Sequence, residues 1–183
     1  MKKKVRLIGL TGTNSSGKGE AAACFQKRGY AYVSLSDVIR AELEKEGIPI
    51  TRNNLIRKGN HMRETQGADV LARLVMKGIK GKTVVDSIRN PQEVEYLRQH
   101  GDFILLAIDA PVEIRFERAK KRGREESAST LQEFIAKEAE EMTNRKTGQQ
   151  LSNCIQMADF KIENNGTLED LEKKAKRIIS GLR

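Results

Sequence analysis

Tryptophan is absent, aromatic residues make up only 4% of the 183-residue chain, and it holds three prolines, two histidines and two cysteines. Each scarcity excludes something. With so few ring faces, stacking platforms for single-stranded nucleic acid are scarce, which disfavours a nucleic-acid partner without excluding one. Cys24 and Cys154 have neither metal spacing nor a disulfide framework, and they read as core thiols of a reducing compartment. His61 and His100 have no partners in sequence and read as surface residues, so no Ser/His/Asp, Cys/His or zinc constellation is present. No apolar run approaches the ~18 residues that span a bilayer. Three lysines precede Val5 to Leu10, but that stretch is short, is broken by Arg6 and leads into glycines, which predicts no secretory signal and a cytoplasmic chain without a membrane partner.

What is present is an ordinary globular composition, 38% hydrophobic and 32% charged, on a length that suits one domain with a full core. The net charge is +9. Such an excess serves either nucleic acid or polyphosphate ligands on a solvated surface. The shortage of aromatics favours the second reading.

Strand-like and helix-like stretches alternate, the pattern of a parallel α/β sheet. Strands are predicted at Val5 to Leu10, Ala31 to Ser34, Thr83 to Asp86, Phe103 to Asp109 and Phe160 to Glu163. Helices are predicted from Lys18 to Lys27, from an N-cap at Ser36 to about Glu46, and over most of Asn53 to Lys80. Others start at Pro91 and Pro111, run from Thr130 to about Arg145, and span Leu168 to Ile179. Tyr30 and Tyr32 flank a strand and read as packing residues.

The chemistry begins after the first strand. Gly12-Thr13-Asn14-Ser15-Ser16-Gly17-Lys18-Gly19 fits G-x-x-x-x-G-K, the Walker A phosphate loop. Its glycines let backbone N–H groups curl toward phosphate oxygens, the next helix offers its positive end, and Lys18 supplies a mobile charge at the β/γ phosphates. One position departs from the usual motif. The hydroxyl that normally touches Mg²⁺ is replaced by Gly19, and Glu20 follows. Glu20 either points away and complements the helix dipole or supports Mg²⁺ indirectly.

Further segments resemble nucleotide kinases. Val33-Ser34-Leu35-Ser36-Asp37-Val38-Ile39-Arg40 is similar to the acceptor segment of adenylate kinases, and Val84-Val85-Asp86-Ser87-Ile88-Arg89 to their Asp-Gly-x-x-Arg. Its continuation through Glu93, and Arg63-Glu64-x-x-Gly67-x-Asp69, resemble phage deoxynucleoside monophosphate kinases. Arg115 to Arg124 resembles the start of an adenylate kinase lid. Ala158 to Leu168 looks like the C-terminal segment of dephospho-coenzyme A kinases. Taken together, the chain resembles the P-loop nucleoside monophosphate kinase superfamily. It stands nearest to a kinase-like group with some members fused to deoxycytidylate deaminases.

That resemblance implies a three-layer fold with a five-stranded parallel sheet in the order 2-3-1-4-5. It also implies an acceptor-binding insert at about 36–80 and a lid insert at about 122–150. ATP and Mg²⁺ would be the cofactors, with the donor held by residues 12–20, by Arg118 on the base, and by the backbone at Asn165, Gly166 and Thr167. Ser34, Asp37, Arg40, Arg63 and Arg89 would hold a phosphorylated acceptor. Lys18, Arg122 and Arg124 would stabilise the transferring phosphoryl group, and Asp86 would organise Mg²⁺ through water. For each arginine a solvated surface charge is the plain alternative. Two other functions stay open on the residues alone: a non-catalytic or slow nucleotide-binding module that regulates a partner enzyme, and a kinase acting on nucleic-acid ends or bases.

Overall fold

The computed structural model describes residues 5–123, 128–142 and 148–181. Strands β1 (Arg6–Thr11), β2 (Ala31–Ser34), β3 (Thr83–Asp86), β4 (Asp102–Asp109) and β5 (Phe160–Glu163) form one sheet in the order β2-β3-β1-β4-β5. Every neighbouring pair is parallel. Helices α1 (Lys18–Gln26), α2 (Leu35–Lys45), α3 (Arg52–Gln66), α4 (Val70–Met76) and α5 (Pro91–His100) connect the first four strands. They are followed by α6 (Val112–Arg122), α7 (Leu131–Glu141), α8 (Leu151–Gln156) and α9 (Leu168–Gly181). Among the described residues no helix is long and apolar enough to cross a membrane.

The period-two geometry of a strand sends alternate side chains to opposite faces, and both faces of a parallel sheet must be covered. Leu7, Val85 and Leu105 point into one core with Leu35, Leu43, Leu71 and Leu97 of the helices. Their neighbours Ile8, Val84 and Leu106 point into the other, with Ala21 and Phe25 of α1 and Ala175 of α9. Burying strand residues on both sides is what makes these strands read as nearly continuous apolar runs. Cys24 and Cys154 are both buried and unpaired, one in each core.

Some local features differ from the expectation and others refine it. Ser34, not Ser36, caps α2: it is still in extended backbone (φ −126°, ψ 133°), and its Oγ accepts from the Ser36 N–H at 3.3 Å. Strand β2 therefore passes into α2 with no loop between them. The long helical stretch after Asn53 is divided at Gly67, whose φ of 104° ends α3 before α4 begins. Helix α8 was not foreseen; it is six residues long, with Leu151 and Cys154 turned inward. The expected helix from Thr130 ends at Glu141, and part of its predicted continuation lies outside the described residues.

Because the strands are parallel, Thr11, Ser34, Asp86 and Asp109 all end at one edge of the sheet. The strand order reverses across β1, whose neighbours are β3 and β4. Open α/β sheets bind ligands at this crevice.

Candidate nucleotide site

The loop after β1 is shaped to present its backbone. Gly12 has φ 130°, and a Cβ there would lie 1.9 Å from the Ile108 carbonyl oxygen; Gly17 has φ 104° and would collide with Asn164. No other residue type fits either position. Ser15 and Ser87 are the described non-glycine residues with positive φ (59° and 64°), and both line the same cavity. Strain of that kind collects where backbone must meet a ligand.

The loop is braced from three sides. Asn164, at the end of β5, donates its Nδ2 to the Ser16 carbonyl at 2.8 Å. Thr13 Oγ1 donates to Asp109 Oδ1 at 2.5 Å. Lys18 Nζ spans the concavity to the carbonyls of Gly12 (2.9 Å) and Thr13 (2.6 Å). Ser16 is fully buried, yet its Oγ has no hydrogen-bond partner among the described residues. A buried hydroxyl left in that condition is accounted for by a bound ligand or water.

From the loop a cavity of about 390 Å³ runs across the ends of β2 and β3 to α2 and α3. It brings together Asn14 to Glu20 with Ser34, Asp37, Arg40, Arg63, Asp86, Arg89 and Arg122. Ser34, Asp37, Arg40, Arg63 and Arg89 thus face the loop across one space, whereas Asp69 does not line it. Arg124 lies outside the described residues. Among the described lining residues, Lys18, Arg40, Arg52, Arg63, Arg89 and Arg122 are cationic, against Glu20, Asp37 and Asp86. Ile39, Leu55 and Ile56 give one apolar wall.

The arginines sit in a built frame. Arg63 is 1% exposed and pairs with the fully buried Glu93, its Nε donating to Oε1 at 2.9 Å. Its Nη1 has no hydrogen-bond partner among the described residues. The other oxygen of Glu93 accepts from the backbone N–H groups of Arg89 (2.9 Å) and Asn90 (3.0 Å), which completes a capping box with Asn90 and Pro91 at the start of α5. One carboxylate therefore holds the Arg63 side chain and the Arg89 backbone. Arg89 Nη1 also donates to Gln149 Oε1 at 3.2 Å, and the Arg89 carbonyl accepts from the Gln150 N–H at 2.7 Å.

Asp86 ends β3 with Oδ1 accepting from the Ser87 N–H at 2.5 Å and Oδ2 from the Tyr32 hydroxyl at 2.9 Å. Tyr32 is thus a member of the site and not a packing residue. Burial first, and then the Asp86 charge and hydrogen bond, hold its phenol pKa well above 10. Among the described residues no three His, Cys, Asp or Glu side chains cluster to cage a metal. A single carboxylate with oxygen donors suits Mg²⁺ held through water and phosphate oxygens.

A second cavity, of about 430 Å³, opens on the far side of the loop between Arg118, Asn164, Leu168 and Leu171. Glu20 and Arg122 border both cavities. Arg118 reaches the Asn164 carbonyl at 3.1 Å. Asn165, Gly166 and Thr167 flank this cavity without lining it. Thr167 is engaged in a reciprocal cap with Asp170, and Asn165 bonds Glu163.

The AAA domain model matches residues 8–147. UPF0200 protein PH1008 of Pyrococcus horikoshii is 35% identical over 183 residues, covering 95% of this chain and 96% of that protein. The chain belongs to the UPF0200 family. This family member is also 34% identical to the UPF0200/UPF0201 protein of Archaeoglobus fulgidus, of whose length it spans about half, 55%. Among solved structures, TT1252 from Thermus thermophilus superposes with a TM-score of 0.64 at 23% identity, covering 99% of this chain and 100% of that one. Shikimate kinase from Acinetobacter baumannii, in complex with shikimate, gives 0.59 at 19% identity, covering 98% and 95%. At such identities the likeness shows the fold, that of a P-loop kinase. The UPF0200 chain thus carries an AAA-type P-loop domain in a fold that it shares with shikimate kinase.

Proposed function

We propose that this UPF0200 protein is a cytoplasmic, ATP-dependent phosphotransferase that moves the γ-phosphoryl group to a (deoxy)nucleoside monophosphate or a related phosphorylated, nucleotide-like acceptor. The observation that carries the reading is the single cavity in which Lys18 and the phosphate loop face Arg40, Arg63 and Arg89. A donor triphosphate alone does not account for arginines on the opposite wall. An acceptor that itself bears a phosphate does, because guanidinium groups bind phosphate oxygens in pairs.

In this reading the triphosphate lies along the loop amides, and Lys18 leaves its own loop carbonyls for the β and γ oxygens. Arg118 meets the donor base in the second cavity. Arg40, Arg63 and Arg89 orient the acceptor so that its phosphate oxygen attacks the γ-phosphorus in line; the bond to the β–γ bridging oxygen breaks and ADP leaves. A phosphate acceptor needs no strong base, and the requirement is positioning plus charge neutralisation by Lys18 and Arg122. Asp86, with Glu20 at the mouth, would hold Mg²⁺ through water; the ion would neutralise charge on the phosphate oxygens. The helical stretch at about 36–80 would serve as the acceptor insert and that at about 122–150 as the lid.

A second reading has its own observation. Gly19 stands where a metal-touching hydroxyl is usual, which suits a slow or non-catalytic nucleotide-binding module serving a partner enzyme of nucleotide metabolism. One assay separates the two. The full chain is incubated with ATP·Mg²⁺ and a panel of (deoxy)nucleoside monophosphates and dephospho-coenzyme A, and ADP release is followed. Acceptor-dependent release supports the kinase. Absent or acceptor-independent release across the panel, from protein that binds ATP in calorimetry, supports the module.

A further inference from the structure

One buried arginine has no task in the scheme above. Arg115, on α6, is 4% exposed. Its Nε donates to the Ala110 carbonyl at 2.7 Å, and its Nη1 reaches the Asn14 carbonyl of the phosphate loop at 3.4 Å. Toward α7 it forms a two-pronged ion pair with Glu138, with Nη2 donating to Oε1 at 2.9 Å. Its guanidinium also lies 5.7 Å from the centre of the Phe134 ring, on the same helix. Arg52, which starts α3 and lines the acceptor half of the cavity, lies 5.6 Å from that ring. Phe134 is fully buried. One phenyl ring therefore lies within cation–π range of an arginine at the phosphate loop and of another that lines the cavity.

The physical consequence is a linkage. A guanidinium taken out of water needs a close counter-charge. Asp109 approaches the Arg115 Nε at 3.7 Å, but the closer, two-pronged partner is Glu138, which is present only while α7 is docked. The same guanidinium holds the loop at Asn14 by a contact at the long limit of a hydrogen bond. A triphosphate that draws the loop's backbone inward changes that contact, and with it the seat of α7. We propose that Arg115 is a positioning residue that couples occupancy of the phosphate loop to the docking of α7. Phe134 extends the coupling to the acceptor wall through Arg52. The inference rests on the reading that the loop binds ATP, and it adds a reciprocal effect that the reading alone does not require.

The test is hydrogen exchange at the amides of residues 131–138 in the full chain, with and without ATP·Mg²⁺, beside calorimetry of ATP binding. In the unsubstituted protein ATP is expected to slow exchange in α7 by about tenfold, inside the usual range of coupling between sites. Glu138→Gln and Phe134→Leu are expected to bring that ratio to about twofold or less. By reciprocity they should also weaken ATP binding by up to about tenfold. Heat of ATP binding without slower exchange in the unsubstituted protein overturns the inference and leaves the nucleotide reading standing; this result needs no variant to fold. A variant whose α7 exchanges faster by the same factor with and without ATP makes the contact merely structural and also overturns it. No heat from ATP in the unsubstituted protein removes the nucleotide reading and the coupling together.

Discussion

The Tyr32 hydroxyl donates to Asp86 Oδ2 across 2.9 Å, from the edge strand to its neighbour. Ser34 pairs with Asp86 in the β2–β3 register, so Tyr32 lies one same-face step before the residue opposite the carboxylate. With the Ser87 N–H on the other oxygen, both oxygens of Asp86 are fixed by protein donors. Asp86 is the carboxylate proposed to hold Mg²⁺ through water, so its orientation bears on the metal requirement. A hydrogen bond to a charged group contributes about 1.5–3 kcal/mol, of which a part reaches a metal held through water. Tyr32→Phe is expected to raise the Mg²⁺ concentration needed for half-maximal ADP release about two- to tenfold, with little change in maximal rate. An unchanged Mg²⁺ dependence removes Tyr32 from the metal site.

The same contact has a pH signature. The phenol's folded pKa is raised above its ordinary value of 10, so its stabilising contribution is full below pH 10 and is lost only as pH climbs beyond that. The difference between tyrosinate absorbance titrations of the unsubstituted protein and Tyr32→Phe should show no ionisation of this residue around pH 10. An ordinary transition there would mean that the bond to Asp86 is absent in solution.

Much of the phosphate loop was legible in the sequence because its signals are local. A β-branched strand, a glycine loop and a lysine at fixed spacing specify the loop without help from the rest of the chain. Strands β2, β3 and β5 were placed to the residue because turn and cap residues bound them, whereas the buried apolar runs were placed one residue off, β1 at both ends and β4 at its start. What stayed hidden depends on distant partners. Glu93 reads as a helix-start carboxylate, and nothing local reveals that it also neutralises Arg63, thirty residues earlier. Tyr32 looks like half of a packing pair until β2 is laid beside β3. Arg115 is one basic residue in a basic run, and only the position of α7 distinguishes it from its exposed neighbours.

The buried pair of Arg63 and Glu93 gives a stability prediction. Glu93→Ala removes the counter-charge of an arginine that is 1% exposed and leaves the N–H groups of Arg89 and Asn90 without their acceptor. Breaking such a pair costs about 3–5 kcal/mol, measurable as a lower denaturation midpoint with an unchanged slope. Replacing both members by methionine should restore part of that loss, because no charge is then stranded, while acceptor KM stays raised. A double variant as unstable as Glu93→Ala would show that the cap, and not the ion pair, dominates.

Lys18 makes the sharpest test of the donor site. Its ammonium bridges the Gly12 and Thr13 carbonyls across the loop's concavity, so truncation should leave the fold intact and remove the mobile charge. Lys18→Ala is expected to abolish detectable turnover and to weaken ATP binding strongly in calorimetry, with an unchanged melting transition. Arg40→Ala should instead raise acceptor KM with ATP affinity preserved. If the two variants share one kinetic phenotype, the division of the cavity into donor and acceptor halves is wrong.

Helix α7 carries a pH dependence at its first turn. Glu133 accepts from the backbone N–H and the hydroxyl of Ser129, both at 2.9 Å, and pairs with Lys137. The Ser129 backbone bond is the main cause holding its pKa down to about 2, from 4.5. A depressed carboxylate stabilises above its ordinary pKa and stops doing so as pH falls through the folded value. The start of α7 should therefore loosen between about pH 4.5 and 2, seen as lower protection factors at the amides of residues 131–134 once the intrinsic pH dependence of exchange is divided out. Glu133→Gln should already exchange faster at neutral pH and lose the pH dependence.

Gly19 offers a gain-of-function test. A Cβ placed there meets nothing within 4 Å, and the residue sits exposed in the first turn of α1. Serine therefore fits without displacing a neighbour and brings a hydroxyl to the position where other phosphate loops touch Mg²⁺. Glycine is also the poorer helix former by about 0.5 kcal/mol, so folding should be unharmed. If the proposed metal site is correct, Gly19→Ser lowers the Mg²⁺ concentration required for nucleotide binding and for ADP release. If Glu20 already supports the ion, Glu20→Gln should raise that requirement and Gly19→Ser should offset it. A serine variant that folds, binds ATP and shows no change in Mg²⁺ dependence, alone or with Glu20→Gln, places the ion away from the first turn of α1.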